Sequence, residues 1–471
     1  MIPLSKLMYE LAIEIFNKIH LIKDDVNQSI QNRFDSKYLK CKHLNSEMLS
    51  DKIIANSALK NNQVVELPPS TIFTNNTKPI FLKSNTTYRG HGTILKTTSV
   101  PDTPNLIYPG NTADIMTNVF PSWSSLIREH NKNIVIEGFI VDGSAETTPG
   151  DDYHHVRLGG VYQTDNIIIR NCIFRNSYGP YICFNNANNV IIENCYFFGG
   201  DSCVNGCFSD KKTNIIIKDC FFDGMMYGKE TISESITFCN TFNLVVENNT
   251  IMNKRGTACA IAVGCDTVRM QHNTFKHTGA VLCAVRDTIN FDISENIIYG
   301  DNYEYYGIGI CCSQGIVSKN KIYDTKLHGI YITTDFMLGR SERNIKNDVI
   351  IYDNIFQTHE KRDNWCDPIR IDGYGKVKIL KNKILSWDNN HFSDIVLSPF
   401  DHELNEDEEA IYDVVINDNY FNDTKKIVGV DSKLKSLDGV EVKLDVNRNT
   451  GNVSYKDVLD SGFSYTKIKE I

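Results

Sequence analysis

Two aspartates stand where paired carboxylates could do chemistry. Asp372 ends the short apolar run Pro368-Ile-Arg-Ile-Asp, and Asp335 lies two residues past the run Gly329-Ile-Tyr-Ile-Thr. If these runs stack as neighbouring strands, Asp372 lies over Thr333, and Asp335 sits one strand down and two residues along. That diagonal is roughly 8 Å between backbones, from ~4.8 Å between strands and ~6.6 Å along one. Side chains reaching from there bring the carboxyls into the ~5–9.5 Å window in which one acid protonates a leaving oxygen and the other acts as base or nucleophile. His328, Tyr331 and Arg370 share the same runs and suit an anionic or hydroxylated ligand. Trp365, Tyr303, Tyr305 and Tyr306 are flanking aromatics suited to stacking on flat ring faces. Arg286 beside Asp287 marks a second patch, or a surface ion pair worth little. Taken singly, the two aspartates also read as turn residues and the aromatics as packing under loops. The cluster says more than its members.

These residues need a frame, and the frame is a repeat. Asn166-Ile-Ile-Ile-Arg-Asn-Cys-Ile-Phe-Arg-Asn returns as Asn189-Val-Ile-Ile-Glu-Asn-Cys-Tyr-Phe and as Asn214-Ile-Ile-Ile-Lys-Asp-Cys-Phe-Phe. One polar corner follows the first apolar run of each copy: Cys172, Cys195, Cys220, Asn249, Asn273, Asn296, Asn320, Asn354, Asn382, Asn419 and Asn449. The steps between corners run from 23 to 37 residues, a repeat with variable insertions. Runs of three to five residues rich in Ile, Val and Phe are too short for helices and read as strands. Such units bury themselves only by stacking on one another, which predicts parallel sheets and a corner column of amides hydrogen-bonded into a ladder. Asn also tolerates the left-handed backbone a sharp corner requires. A third run precedes most pairs, as in Gly307-Ile-Gly-Ile-Cys and Asp394-Ile-Val-Leu. Alternation places Ile330, Ile332, Ile369 and Ile371 inside, and Tyr331, Thr333, Arg370 and Asp372 on the outer face. After the long excursion 97–127, further long insertions, 334–346 and 357–367, flank these outward residues on opposite sides, and 400–410 adds an acidic loop.

This pattern resembles the right-handed parallel β-helix of the pectate-lyase superfamily, bacteriophage tailspikes and appendages included. The resemblance covers roughly Val64 to Thr450. Glu66-Leu-Pro-Pro and the later Arg89-Gly-His-Gly look like that family's opening turn and bend. Shorter matches point to the polygalacturonases. Gly200-Asp201-Ser202-Cys203 resembles their acidic motif with Ser202 for the second Asp, Leu327-His328-Gly329 their Gly-His-Gly with one Gly missing, and Arg370-Ile-Asp their Arg-Ile-Lys with the charge reversed. The resemblance implies an all-β, right-handed, single-stranded parallel β-helix that binds a bacterial surface polysaccharide in a groove on one face. It implies cleavage by hydrolysis, with lyase elimination or non-catalytic adhesion as the alternatives. It also implies a homotrimer in a virion, or else a protein of the cell surface. Asp335 and Asp372 are then the catalytic pair, and His328, Tyr331, Arg370, Trp365, Tyr305 and Arg286 contact the glycan.

The totals exclude other classes. Apolar residues make up 41% and charged residues 23% of 471, as expected of a folded chain. A net charge of −9 without a Lys/Arg block argues against nucleic acid as a partner. No 18-residue apolar run predicts a membrane span. The 14 cysteines lack Cys-x-x-Cys pairs with His partners, so no zinc site or other cofactor is expected and most read as buried thiols. Leu4, Met8, Leu11, Ile15, Ile19, Ile22, Val26 and Ile30 recur at helical spacing, so 1–38 predicts an amphipathic helix. Glu10 and Glu14 break any secretory apolar core, and the helix suits a solenoid cap, a trimer seam or virion attachment. Residues 39–63 read as a connector, 64–450 as the β-helix and 451–471 as a C-terminal cap.

Overall fold

The structure, a computed structural model, describes residues 42–45, 63–75, 84–97, 132–142, 160–300, 306–334, 346–358, 367–398, 410–451 and 467–468, several connecting loops within these ranges excepted. The helix expected over 1–38 lies outside the described residues. The chain divides into two compact units. The first comprises Met1–Asn205, Ile215–Phe221 and Met226–Gly228, and the second Gly206–Asn214, Phe222–Met225 and Lys229–Ile471. Both are all-β coils of parallel strands, and the fold is a parallel β-helix solenoid.

In the first unit, strands Lys132–Asp142, Asp165–Arg170 and Asn188–Glu193 stack in register, with Ile136 over Ile169 and Ile169 over Ile192. Alternation does the sorting: Ile167 and Ile169 are buried while Ile168 faces outward. Each isoleucine so buried contributes ~1.5–3 kcal/mol. Phe174 and Phe197 stack inside at 4.7 Å, and the Tyr181 hydroxyl donates to the Phe198 carbonyl at 2.8 Å. The Gly-His-Gly bend is real: strand Thr86–Thr97 turns at His91 and Gly92, both with positive φ. A strand, Lys42–Asn45, lies within the stretch that reads as a connector and pairs with Thr71–Asn75.

The second unit carries the insertions that flank the candidate residues. Its main sheet runs from Phe242–Glu247 to Val440–Asn447, each strand parallel to the one a coil earlier. A narrower sheet stacks Ile236–Cys239, Thr257–Ile261, Ala280–Arg286, Ile308–Cys311, Ile330–Thr333, Ile369–Asp372, Ile395–Leu397 and Val428–Val430. The tail reading as a cap returns one strand, Lys467–Ile468, to the main sheet beside Asp445–Val446.

The corner column lines up as its spacing predicts. From Asn249 through Asn273, Asn296, Asn320, Asn354, Asn382 and Asn419 to Asn449, each Nδ2 donates to the next Oδ1 at 3.0 Å. The backbone N–H of each donates to the same oxygen, and the second amide hydrogen reaches a backbone carbonyl of the preceding coil, as from Asn354 to Val317. Every polar atom of these buried amides is thereby satisfied. One expectation needs correction. The left-handed residue is the one before the column: His272, Glu295, Lys319, Lys381 and Arg448 all take φ near +55°. That conformation costs about 1–2 kcal/mol for a non-glycine residue, and the double hydrogen bond to the next amide holds it. A second, outer ladder appears in the first unit, where Asn133, Asn166 and Asn189 donate one to the next below.

Candidate functional site

The narrow sheet of the second unit positions the candidate residues. Tyr331 pairs with Arg370 and Thr333 with Asp372, while Ile330, Ile332, Ile369 and Ile371 are wholly buried. The outward residues therefore stand on a rigid floor. Entry to each strand is tight: a Cβ on Gly329 would meet the Pro368 carbonyl at 2.6 Å, so only glycine lets the next coil pass this close. This fixes the residues just before the strands into a third column, Tyr306, His328 and Asp367, where Gly307 N–H donates to the His328 carbonyl and Gly329 N–H to that of Asp367.

Three rings meet there. Tyr306 stacks on Tyr331 at 4.3 Å and on His328 at 5.4 Å, and His328 on Tyr331 at 5.7 Å. The Asp367 backbone N–H donates to His328 Nδ1 at 3.2 Å, which leaves the ring proton on Nε2. Burial, with the Arg370 charge adding to it, pushes the His328 pKa down to about 3. The ring is neutral at physiological pH, so its 3.5 Å approach to the Asp367 carboxylate is a contact rather than an ion pair. The Tyr331 phenol is pushed well up by burial first and then by the Asp372 charge, and it serves as a hydroxyl donor.

Arg370 is the hub. Its Nε donates to both oxygens of Asp372, at 2.9 and 3.0 Å, its Nη2 donates to Ser398 Oγ at 2.9 Å, and its Nη1 lies 3.5 Å from Asp367. Burial alone would weaken the guanidinium's hold on its proton, and the two carboxylates more than offset this, so its pKa rises.

The structure thus brings together Asp372, Arg370, Tyr331 and His328. Arg286 ends a strand of the same sheet, and the register through Cys311 and Thr333 sets it three coils from Asp372. Asp335, Trp365 and Tyr305 lie outside the described residues. Reading the sequence missed Asp367 and Ser398 as members of the cluster and took Tyr306 only as one of several flanking aromatics. The signal for two of them was present: Tyr306, His328 and Asp367 each stand two residues before the first inward isoleucine of a strand.

Comparison with known proteins supports the architecture. Residues 137–298 match the family model described as "Right handed beta helix region". Among solved structures, the chain is similar to the catalytic unit of a thermostable α-1,3-glucanase from Streptomyces thermodiastaticus, with TM-score 0.50 and 11% identity over 88% of this chain and 66% of that one. It is also similar to an exopolygalacturonase of Yersinia enterocolitica, with TM-score 0.45 and 13% identity over 87% of this chain and 78% of that one. A surface adhesin of Streptococcus pneumoniae gives TM-score 0.36 and 12% identity over 92% of this chain and 89% of that one. Likeness at such identities speaks for the fold alone. No curated protein matches the sequence. No helix among the described residues is long and apolar enough to cross a membrane.

Proposed function

We propose that the outer face of the narrow sheet is a polysaccharide groove, and that the chain hydrolyses a bacterial surface polysaccharide there. The observation that carries this reading is the cluster of stacked rings, guanidinium and carboxylates on a rigid outward floor. Aromatic faces and fixed hydroxyl and Nε2–H donors suit a hydroxylated sugar. In the hydrolytic step, one carboxyl of the Asp335–Asp372 pair protonates the glycosidic oxygen as the bond to the anomeric carbon breaks. The other carboxylate attacks that carbon or deprotonates the incoming water, and two chains result, one with a new reducing end. Trp365, Tyr305 and Arg286 would extend the contact surface. The assembly proposed with this function is a phage-type homotrimeric appendage, attached to the virion through the segment 1–38. The apolar spacing from Leu4 to Ile30 supports that role.

A second reading, glycan binding without cleavage, has its own observation: both Asp372 oxygens already accept from Arg370. Incubation with capsule or wall polymer separates the readings. Shortened chains with new reducing ends mean hydrolysis, a product with new ultraviolet absorbance means elimination, and an intact bound polymer means adhesion. Under hydrolysis, Asp335→Asn and Asp372→Asn each lower the rate by about 10²–10⁴-fold, the usual worth of a general acid or base; unchanged rates in both variants remove the pair from the mechanism.

A further inference from the structure

Charge at the cluster narrows the ligand. Arg370 is the cation of this cluster among the described residues, and three of its neighbours occupy it: Asp372 through Nε, Ser398 through Nη2 and Asp367 beside Nη1. Asp367 is almost wholly buried, with 2% of its side chain exposed, and Asp372 and Arg370 are mostly so, at 15% and 25%. One guanidinium faces two carboxylates, which leaves a net negative charge. His328 adds none, because Asp367 N–H occupies its Nδ1 and burial keeps the ring neutral.

The segments joined to these strands do not reverse the sign. Residues 335–345 hold Asp335 and Glu342 against Arg340 and Arg343, and 359–366 hold Glu360 and Asp363 against Lys361 and Arg362, so each sums to zero. Residues 401–409, shortly after Ser398, carry six acids and one histidine. The remaining middle positions of the sheet, Thr237, Ala260, Ala284, Gly309, Val396 and Gly429, are uncharged. The column position of Arg286 is three strand spacings from Asp372, about 14 Å, beyond one sugar unit at the cluster.

We infer that the sugar units resting on this cluster carry no carboxylate, phosphate or sulfate: the ligand is a neutral or amino-bearing glycan, not a polyuronate or other polyanion. This rests on the carbohydrate reading above. It reverses the role sequence alone suggests for Arg370, which acts as an internal counter-ion holding Asp372 and Asp367 in place rather than as an anion hook. A uronate would approach a site where two carboxylates already face the one guanidinium, and like charges in a partly desolvated site repel.

The test uses the full chain on a printed array of bacterial capsule and wall glycans sorted by charge. The expected ligands are neutral or amino-bearing. Neutral ones lose less than twofold in affinity between 50 and 300 mM NaCl. Binding confined to polyanions, with a tenfold or larger loss over that range, overturns the inference. Binding to no glycan of any charge overturns the carbohydrate reading instead. A second measurement is independent of the glycan: the Nε–H resonance of Arg370 is followed by NMR as inorganic sulfate is added. It stays in place to 100 mM in the native chain and shifts in Asp372→Asn, where one counter-charge is gone. A shift of the same size in the native chain shows the guanidinium free to take anions and overturns the assignment.

Discussion

The two units place different chemistry at the same corner. In the first, the column is Cys172, Cys195 and Cys220, with thiols 3.7–3.9 Å from a carbonyl of the preceding coil. In the second, it is the unbroken amide ladder with 3.0 Å bonds. The outer faces differ in the opposite sense. Two residues before each corner, the first unit alternates Glu66, Arg89, Glu137, Arg170, Glu193 and Lys218, each in register with the next. Ion pairs link that column, including Arg170 to Glu137 at 2.7 Å and Lys218 to Glu193 at 3.2 Å. The corresponding positions of the second unit run Glu247, Gln271, Ser294, Ser318, Tyr352, Leu380, Asn417 and Asn447. Stacked strands of near-identical isoleucines specify register poorly, because a slip of two residues again buries an isoleucine. Each unit needs a polar column to forbid the slip. One puts it outside as charge, the other inside as amides. The second unit has outer ion pairs too, such as Lys319 to Glu295 at 3.3 Å, and it bears the cluster around Arg370.

Breaking the inner ladder should give the largest effect. Asn354→Ala strands the Asn320 N–H and Nδ2 groups and should cost about 2–4 kcal/mol, read from urea unfolding. Acid should weaken the second unit through His328. Its folded pKa lies below the ordinary 6.5, so the unfolded chain takes up a proton that the folded one refuses. Stability then falls as pH drops from 6.5 toward 3, by up to about 1.4 kcal/mol per pH unit, and His328→Gln should flatten that slope in unfolding measured between pH 7 and 4.5. The first unit's column is more forgiving: Cys195→Ala should cost about 1 kcal/mol. Burial, with Cys172 and Cys220 beside it, holds the Cys195 thiol protonated, so thiol reagents should leave it unmodified in the folded chain. The outer charges should matter least. Glu137→Gln should cost under about 1 kcal/mol, and 1 M NaCl should erase most of the difference. A cost equal to that of Asn354→Ala would mean the two columns do the same work by equal means.

Much of this architecture is legible in the chain. Corner spacing located the column, alternation sorted Ile330 from Tyr331, and the pairing of Thr333 with Asp372 follows from counting residues. The outer ladder of Asn133, Asn166 and Asn189 was equally present at the head of each repeat but is harder to read, since an exposed asparagine before an apolar run also marks an ordinary turn. The site was legible as an outward strip on two strands and no further. Which partners Arg370 would choose was not, because Ser398 reaches it from the next coil, and only the folded turn brings Asp367, three residues upstream, to 3.5 Å.

Sequence by itself determined what repeats: strand length, inward face and corner residue are local, and each coil copies the last. Tertiary structure alone decided which charges cancel. An arginine two residues from an aspartate reads as a ligand hook until the fold shows two carboxylates already beside it. The balance of a buried charge depends on every group within a few ångströms, and the fold sets those distances even for groups close in sequence.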